Sequence, residues 1–308
     1  MSGEAPAPSS APSPALSVVL IARHPGQRPE PALAALAAEP GIGAAEVILA
    51  DGRPGAAPPS GPLPPRLSVL AAPGLAMPRL KALGAEAARG EAVAFLEPKG
   101  VPEPGWLGAA LAGVAAHPGA ALGGAVLPPR GAGPADGAAF VFEYGAFAPA
   151  DLAAGRCRDL PGNNMVLPRR ALLGLCGGVL RAEGLNKPFV QARLLGGGVA
   201  LAMLPRMAVR MAPGHRLGPL LRSRFGYARC YGGTRAALAP DRRWAYRLGA
   251  PLVPALLLAR HLGAAGRVDL GARSPGLRPA LALLCLAWSA GEALGSWAGP
   301  GSACDALY

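Results

Sequence analysis

The sequence contains little of what several protein classes require. Only three of its thirty basic residues are lysines, aromatic residues make up 5%, and its five cysteines include no CxxC pair. Paired thiols at that spacing form zinc sites and redox motifs, and the sequence contains no such motif. The cysteine number is odd, and the first fifteen residues have neither a basic residue nor an apolar core. The sequence therefore predicts no secretion signal and reduced cysteines in a cytoplasmic setting.

Two further absences narrow the class. The loop "RHPGQRP" after the first apolar run lacks the GxGxxG glycines that let a dinucleotide pyrophosphate approach the backbone. Charged residues make up only 16% of the chain and apolar residues 51%, which excludes a largely disordered protein. The sequence thus indicates a globular or membrane-associated protein that is not a dinucleotide-binding oxidoreductase.

Alternating apolar patterns predict an α/β fold with a mainly parallel sheet. Residues 1–15 are a Pro/Ala/Ser tail that we expect to be disordered. The uninterrupted run "LSVVLIA" at 16–22 is typical of a strand buried on both faces, and a helical pattern at 31–39 separates it from a second strand at 46–50. Because strands and helices keep alternating, we expect one α/β domain over 16–213.

The second half of that domain has weaker patterns. A strand at 91–97 leads to a helix that begins at Trp106, and a strand follows near 120–127. The stretch at 138–147 is interpreted as a loose region, and a helix is expected to begin at Pro168. A further helix near 185–195 and a short strand at 199–204 complete the domain, with the glycines at 196–198 forming a turn.

The positive charge is concentrated in one segment. Between residues 206 and 278 there are fourteen arginines and two acids, while the rest of the chain is electrically neutral. Residues 214–238 have the pattern of a basic amphipathic helix. Such a segment indicates an anionic partner, and its apolar flanks favour a membrane surface over nucleic acid.

Two apolar segments follow, at 244–262 and 277–299. Neither is a clean membrane span, because the first contains Arg247, Arg260 and two prolines and the second contains Glu292. A membrane hairpin, a pair of interfacial helices and a cover for the globular domain are all compatible with this pattern. We therefore treat 214–308 as a C-terminal helical region that associates with a membrane, peripherally or through a hairpin.

The ordered series of motifs resembles a known family. The stretches "LSVVLIARHPGQRPEPALAALAAE", "EVILADG", "EAVAFLE", "PGNNMVLPRRALL" and "LLRSRFGYARCYGGTR" are similar to the family 2 inverting, nucleotide-sugar-dependent glycosyltransferases with the GT-A fold. The resemblance covers residues 16 to about 238. It implies a GT-A-like domain, a nucleotide-sugar donor, a lipid-linked or envelope-polysaccharide acceptor, and a location at the cytoplasmic face of the inner membrane.

The chain departs from the family where the family binds its metal. There, the strand equivalent to "AVAFLE" ends in aspartates that hold a divalent cation, whereas this chain has Glu97, Pro98 and Lys99. A divalent cation needs hard oxygen ligands, and an ammonium repels it. We therefore expect no metal and no other cofactor. Lys99 is either a solvated loop lysine or a charge that replaces the cation, and Glu97 is either a strand-end acid or a ribose contact.

The remaining site residues are those that the resemblance implies. Asp51 resembles the aspartate that contacts the donor base or ribose. Asn186 and Lys187 occupy the position of the family's general base, where an amide cannot take a proton, and Glu183 is the nearest acid. The acceptor-side candidates are Asn163 and Asn164, which match a Gly-x-Asn element but also suit a turn, together with Arg170 and Arg193.

Two functions of different classes follow from this pattern. The first is a glycosyltransferase that works without a metal, and the second is a non-catalytic relative that keeps the fold as a binding or scaffold subunit beside a catalytically intact glycosyltransferase. The loss of both acidic motifs favours the second, while retention of Asp51 favours the first. Nucleic acid is not a predicted partner of either.

Overall fold

The computed structural model describes residues 13–97, 99–149, 152–266, 268 and 276–304. Most of the predicted tail at 1–15 lies outside these residues, as does Pro98. The same holds for Arg267, Asp269 and Arg273 of the arginine-rich segment.

Strands and helices alternate through the first half of the chain, and helices fill its C-terminal third. The strands are β1 (Leu16–Ala22), β2 (Glu46–Asp51), β3 (Leu67–Ala71), β4 (Ala92–Leu96), β5 (Gly100–Pro102), β6 (Ala121–Leu127), β7 (Gly155–Arg156), β8 (Asn164–Pro168) and β9 (Leu201–Met211). The helices are α1 (Glu30–Ala37), α2 (Met77–Ala87), α3 (Trp106–Ala116), α4 (Pro134–Tyr144), α5 (Arg169–Glu183), α6 (Lys187–Gly196), α7 (Leu217–Leu238), α8 (Arg243–Gly249), α9 (Val253–Ala265) and α10 (Leu277–Ala298).

The nine strands of the described residues form one sheet, in the order β3-β2-β1-β4-β8-β6-β9-β5, with β7 paired to β9. The first four strands are parallel, which confirms the predicted α/β class. Beyond β4 the sheet is mixed, because β8 runs antiparallel to both β4 and β6. Every residue of β1, β2 and β4 is buried, as expected for strands covered by helices on both faces.

Three elements differ from the sequence-based expectation. The stretch interpreted as a loose region belongs mostly to α4, and the residues before the predicted helix start form β8, which was not predicted, whereas α5 begins at Arg169, one residue after the predicted start. The last strand of the domain continues to Met211, well past the predicted short strand. Six consecutive residues of α4, from Asp136 to Val141, are buried, so the helix shows no amphipathic stripe by which a sequence pattern could identify it.

The C-terminal helices α7 and α10 pack closely through glycines. A Cβ added to Gly291 would lie 2.2 Å from the Phe225 carbonyl oxygen, and one added to Gly295 would lie 2.1 Å from that of Arg229. A Cβ added to Gly232 on α7 would lie 2.4 Å from the Glu292 carbonyl oxygen. Since larger residues would separate the two backbones, these glycines set the distance between the helices.

A disulfide joins the end of this helical region to α7. Cys230 and Cys304 are bonded with their Cα atoms 5.0 Å apart, whereas Cys157, Cys176 and Cys285 are free thiols. The expectation that all the cysteines are reduced is therefore wrong for this pair. The separation of 74 residues along the chain left no spacing motif to reveal it.

Candidate functional site

The loops that follow β1, β2 and β4 meet at one edge of the sheet. These parallel strands are neighbours, and the strand order reverses between β1 and β4, since the chain builds outward through β2 and β3 before returning to β4. In open α/β sheets, ligands bind in the crevice beyond the carboxyl ends of the strands at such a reversal. The structure therefore places two predicted site regions at the same edge of the sheet, Asp51 at the end of β2 and both Glu97 and Lys99 after β4.

Lys99 is half-buried at this edge, so it is not the solvated loop lysine of the simpler interpretation. Burial lowers the pKa of its ammonium, and the nearby carboxylates of Glu143 and Asp136 oppose this effect. Its charge also contributes to lowering the pKa of His24 in the loop after β1. Within the described ranges the ammonium of Lys99 forms no ion pair. It is a cation placed at the switch point without a direct counter-ion.

Glu97 is already engaged within the protein. Its Oε1 accepts a hydrogen bond of 2.7 Å from the buried Lys81, whose ammonium also donates to the Gly162 carbonyl at 3.2 Å. No group of three or more His, Cys, Asp or Glu side chains suited to a metal occurs among residues 13–97, 99–149, 152–266, 268 and 276–304. A carboxylate bound to one lysine and followed by another does not fit a divalent cation.

Asp51 is held by its neighbour Arg53. The guanidinium Nε lies 2.9 Å from Oδ1 and the second nitrogen 2.7 Å from Oδ2, while the Arg53 backbone N–H donates to Oδ1 as well. Burial opposes ionisation of Asp51, but these hydrogen bonds outweigh it, so its pKa lies below the usual value. Both carboxylate oxygens are thus occupied, and a donor base or ribose would have to compete with Arg53 for Asp51.

A carboxylate that the sequence pattern did not reveal lies beside Lys187, which follows the predicted site residue Asn186. Asn186 precedes α6, and the ammonium of the following Lys187 lies 2.5 Å from Oδ1 of Asp159. Asp159 belongs to the loop before β8, and its side chain is 48% exposed. No spacing rule links it to Lys187, although an acid two residues before "PGNN" was visible in the sequence.

Glu183 lies apart from this arrangement. It is exposed at the C-terminal end of α5, where with Asn186 it lines a separate cavity of about 310 Å³ beside Cys230 and Cys304. Asn186 also lines a second, larger cavity that contains Glu97, so it lies between the two cavities. The structure does not place Glu183 beside Glu97, Asp159 or Lys187.

Of the two predicted acceptor-side asparagines, Asn164 has a structural role. Its Oδ1 accepts a hydrogen bond from the Trp106 indole at 2.9 Å, and its Nδ2 donates to the carbonyls of Ala125 and Met207. These contacts hold the register shift between β6 and β9. Three hydrogen bonds inside the core leave Asn164 little capacity for a ligand, and its assignment to the acceptor side stays a prediction.

The other acceptor-side candidates are less constrained. Asn163 is fully buried, and its Nδ2 contacts the Met211 sulfur at 3.2 Å, while its Oδ1 has no hydrogen-bond partner among the described residues. Arg170 and Arg193 are exposed on α5 and α6. Neither arginine lines the large cavity that the structure forms beside Glu97.

That cavity has a volume of about 640 Å³ and joins the sheet to the C-terminal helices. Glu97, Lys81 and Asp159 line its sheet end, and side chains of α4, α7, α9 and α10 line its helical end. Two ion pairs span the helical part, Arg235 with Glu292 at 2.6 Å and Arg224 with Glu143 at 3.3 Å. The volume lies within the range usual for small-molecule sites.

No protein-family model and no curated protein sequence matches the chain. Solved structures of glycosyltransferases do match the chain. TarS of S. aureus (residues 1–349) in complex with UDP-GlcNAc has a TM-score of 0.48 and 10% identity, covering 91% of this chain and 90% of that one. The same protein in complex with UDP has a TM-score of 0.45 and 12% identity, again covering 91% of this chain and 90% of that one. GalNAc-T7 with UDP, GalNAc and Mn²⁺ has a TM-score of 0.42 and 12% identity, covering 65% of this chain and 44% of that one. The chain is similar to these proteins in fold, and the likeness carries no argument about its chemistry.

Proposed function

We propose that the chain is an inverting glycosyltransferase that transfers a sugar from a nucleotide-sugar donor to a lipid-linked or envelope-polysaccharide acceptor without a divalent cation. The observation that carries this proposal is the half-buried ammonium of Lys99 at the switch point between β1 and β4, which has no ion-pair partner in the described part of the chain. A cation that has carboxylates nearby but no direct ion pair is available to an anion in a ligand crevice, and the diphosphate of the donor supplies one.

Lys99 and Asp159 each have a role in the proposed transfer reaction. Transfer breaks the bond between the anomeric carbon and a phosphate oxygen, and the acceptor oxygen forms the new bond as its hydroxyl proton leaves. Lys99 stabilises the charge that develops on the departing diphosphate. Asp159 receives the proton, and this role is supported by its ion pair with Lys187, one of the two residues that the sequence resemblance aligns with a general base.

The same proposal places the protein at a membrane. By length and composition, two helices could cross one, at Pro240–Ala265 and Leu277–Ala298. Trp244, Leu248, Leu252 and Leu256 recur every fourth residue and are 52%, 75%, 65% and 66% exposed, so they form one apolar stripe. We infer that this stripe lies in the surface of an anionic membrane, beside the arginine-rich segment.

We propose the cytoplasmic face of the inner membrane as the location. The disulfide between Cys230 and Cys304 is the observation against this location, because disulfides persist mainly in oxidising compartments. Alkylation of free thiols in intact cells, followed by mass spectrometry, tests the location directly. Labelling of Cys230 and Cys304 would support the cytoplasmic face, and a protected pair would contradict it.

Titration of the purified protein with a panel of nucleotide sugars tests the donor assignment, with and without magnesium or manganese. We expect one member of the panel to bind with the same affinity in the presence of chelator. A requirement for the cation would contradict the role of Lys99. Turnover with that donor should fall by a factor of at least about a hundred in Asp159→Asn, because general-base catalysis typically contributes that much.

The pH dependence of donor binding gives a second test of Lys99. Only its protonated form attracts the diphosphate, and burial lowers its pKa from the ordinary value of 10.5. Affinity should therefore be full below the lowered pKa and decline as the pH rises through it, earlier than for an exposed lysine. Lys99→Arg stays charged over this range and should remove the decline. An identical decline in that variant would assign the effect to another group.

One observation favours the scaffold function as a second candidate. The carboxylates of Asp51 and Glu97, both predicted to contact the donor, are already paired with Arg53 and Lys81. If no nucleotide or nucleotide sugar binds under any condition, the chain is better described as a binding subunit. Co-purification with a catalytically intact glycosyltransferase would then be the expected result.

A further inference from the structure

The large cavity beside Glu97 extends from the sheet to the proposed membrane face. Its helical end lies outside the proposed donor site. Val253, Leu256 and Leu257 of α9 line it, together with the rings of Tyr227 and Trp288. Leu256 lines the cavity and also belongs to the exposed apolar stripe that contains Leu248 and Leu252. The cavity and the apolar stripe are therefore continuous at Leu256.

Lysine and arginine side chains outnumber aspartate and glutamate side chains in the cavity lining. Four of the five basic side chains are paired with the four acidic ones, in the pairs Lys81–Glu97, Lys187–Asp159, Arg224–Glu143 and Arg235–Glu292. The fifth, Arg260, has no ion pair with any carboxylate that the structure describes. Arg260 lies one turn along α9 from Leu256, on the same side of the helix. One positive charge is thus left over next to the apolar wall.

We propose that this cavity binds the phosphate-headed end of a single lipid molecule, with the phosphate on Arg260 and the hydrocarbon chain leaving over Leu256 toward the membrane. The inference rests on the proposed function, because it identifies the acceptor as a lipid-linked molecule that the site holds through the phosphate next to its lipid, rather than a soluble polysaccharide. The hydroxyl that receives the sugar is a separate group of that molecule. An amphiphile of this class matches both features of the site, the surplus cation and the adjoining apolar wall. A neutral lipid would leave Arg260 without a partner, and a free phosphate would leave the apolar wall unused.

Calorimetric titration of the full chain with three probes tests this, each below its critical micelle concentration. Dodecyl phosphate carries both features, inorganic phosphate only the charge, and dodecyl maltoside only the chain. We expect dodecyl phosphate to bind with one-to-one stoichiometry and at least about tenfold more tightly than either of the others, since each feature contributes a tenfold factor or more. Equal binding of inorganic phosphate would reduce the site to an anion site, and equal binding of dodecyl maltoside to an apolar one. Either result overturns the proposal.

Matched variants locate the site. Arg260→Gln and Leu256→Asn should each weaken dodecyl phosphate binding by roughly ten- to a hundredfold. Leu248→Asn is the control, because Leu248 belongs to the stripe but not to the cavity lining. It should weaken sedimentation with phosphatidylglycerol vesicles while leaving dodecyl phosphate affinity unchanged. Unchanged affinity in both Arg260→Gln and Leu256→Asn, with folding verified by circular dichroism, contradicts the proposal.

The outcome is separable from that of the donor assignment. Binding of a nucleotide sugar without binding of dodecyl phosphate would leave the proposed transferase in place and reject the lipid phosphate. Binding of dodecyl phosphate without any nucleotide would retain the cavity assignment and reject the transferase.

Discussion

The two long apolar helices of the C-terminal region have the same mean hydropathy, 1.3, but different surroundings. Half of the most apolar window in Leu277–Ala298 is buried, compared with 11% in Pro240–Ala265. The difference lies in the glycines. Gly291 and Gly295 of α10 face backbone carbonyls of α7, whereas a Cβ added to Gly249 or Gly263 of the other segment would meet nothing within 4 Å. Small residues at a four-residue spacing, more than hydropathy, decide which helix covers the domain and which faces outward.

Replacing a packing glycine should break this comparison with the largest effect. A Cβ in Gly295→Ala would lie 2.1 Å from the Arg229 carbonyl oxygen, a backbone atom that cannot rotate away. We expect the free energy of unfolding to fall by about 3 kcal/mol, the upper part of the usual range for overpacking. Gly249→Ala is the control and should be neutral or stabilising by up to about 1 kcal/mol, since alanine favours a helix. Urea denaturation measures both, and equal changes would contradict the packing role.

The disulfide should sharpen the difference, because it fastens the end of the α10 region and leaves the 240–265 segment untied. Cys304→Ser should lower the free energy of unfolding by about 2 to 4 kcal/mol under oxidising conditions. With dithiothreitol present, the variant and the unsubstituted chain should unfold at the same urea concentration. A difference that persists after reduction would show that Cys304 acts through packing.

The exposed segment should dominate membrane binding. Leu252→Asp removes a side chain that is 65% exposed on the stripe, whereas Leu286→Asp removes one that is 54% exposed on α10. Losing a buried leucine costs about 1.5 to 3 kcal/mol, so Leu252→Asp should reduce partitioning into phosphatidylglycerol vesicles by about tenfold or more. Leu286→Asp should have a smaller effect. A larger loss with Leu286→Asp would reverse the assignment of the two faces.

The sequence predicted the parallel half of the fold well for a physical reason. β1, β2 and β4 are buried on both faces, so their apolar runs are uninterrupted and easily recognised. The segment around α4 was misinterpreted because burial on nearly every side removes the helical period. β8 was missed because it is short and its last residue, Pro168, is followed directly by the first residue of α5.

The site was predictable in location but not in its pairings. The β4 end with Lys99 follows from where ligands bind in α/β sheets. The choice of Lys81 as the partner of Glu97, and of Asp159 as the partner of Lys187, depends on distant segments meeting in space. Only the pairing of Asp51 with Arg53, two residues apart, was within reach of the sequence. The role of Asn164 at the β6–β9 register shift required the sheet itself.

The most direct test of the central claim compares the affinity of a nucleoside diphosphate and of its bare nucleoside for the unsubstituted chain and for Lys99→Met, with chelator present throughout. Loss of a charge-assisted contact costs about 1.5 to 3 kcal/mol, so the substitution should weaken diphosphate binding by roughly ten- to a hundredfold. Nucleoside binding should be unchanged, and Arg193→Met, which removes an exposed charge outside the cavity, should affect neither. If Lys99→Met binds the diphosphate as tightly as the unsubstituted chain, or if diphosphate binding requires magnesium, Lys99 does not stand in place of the cation.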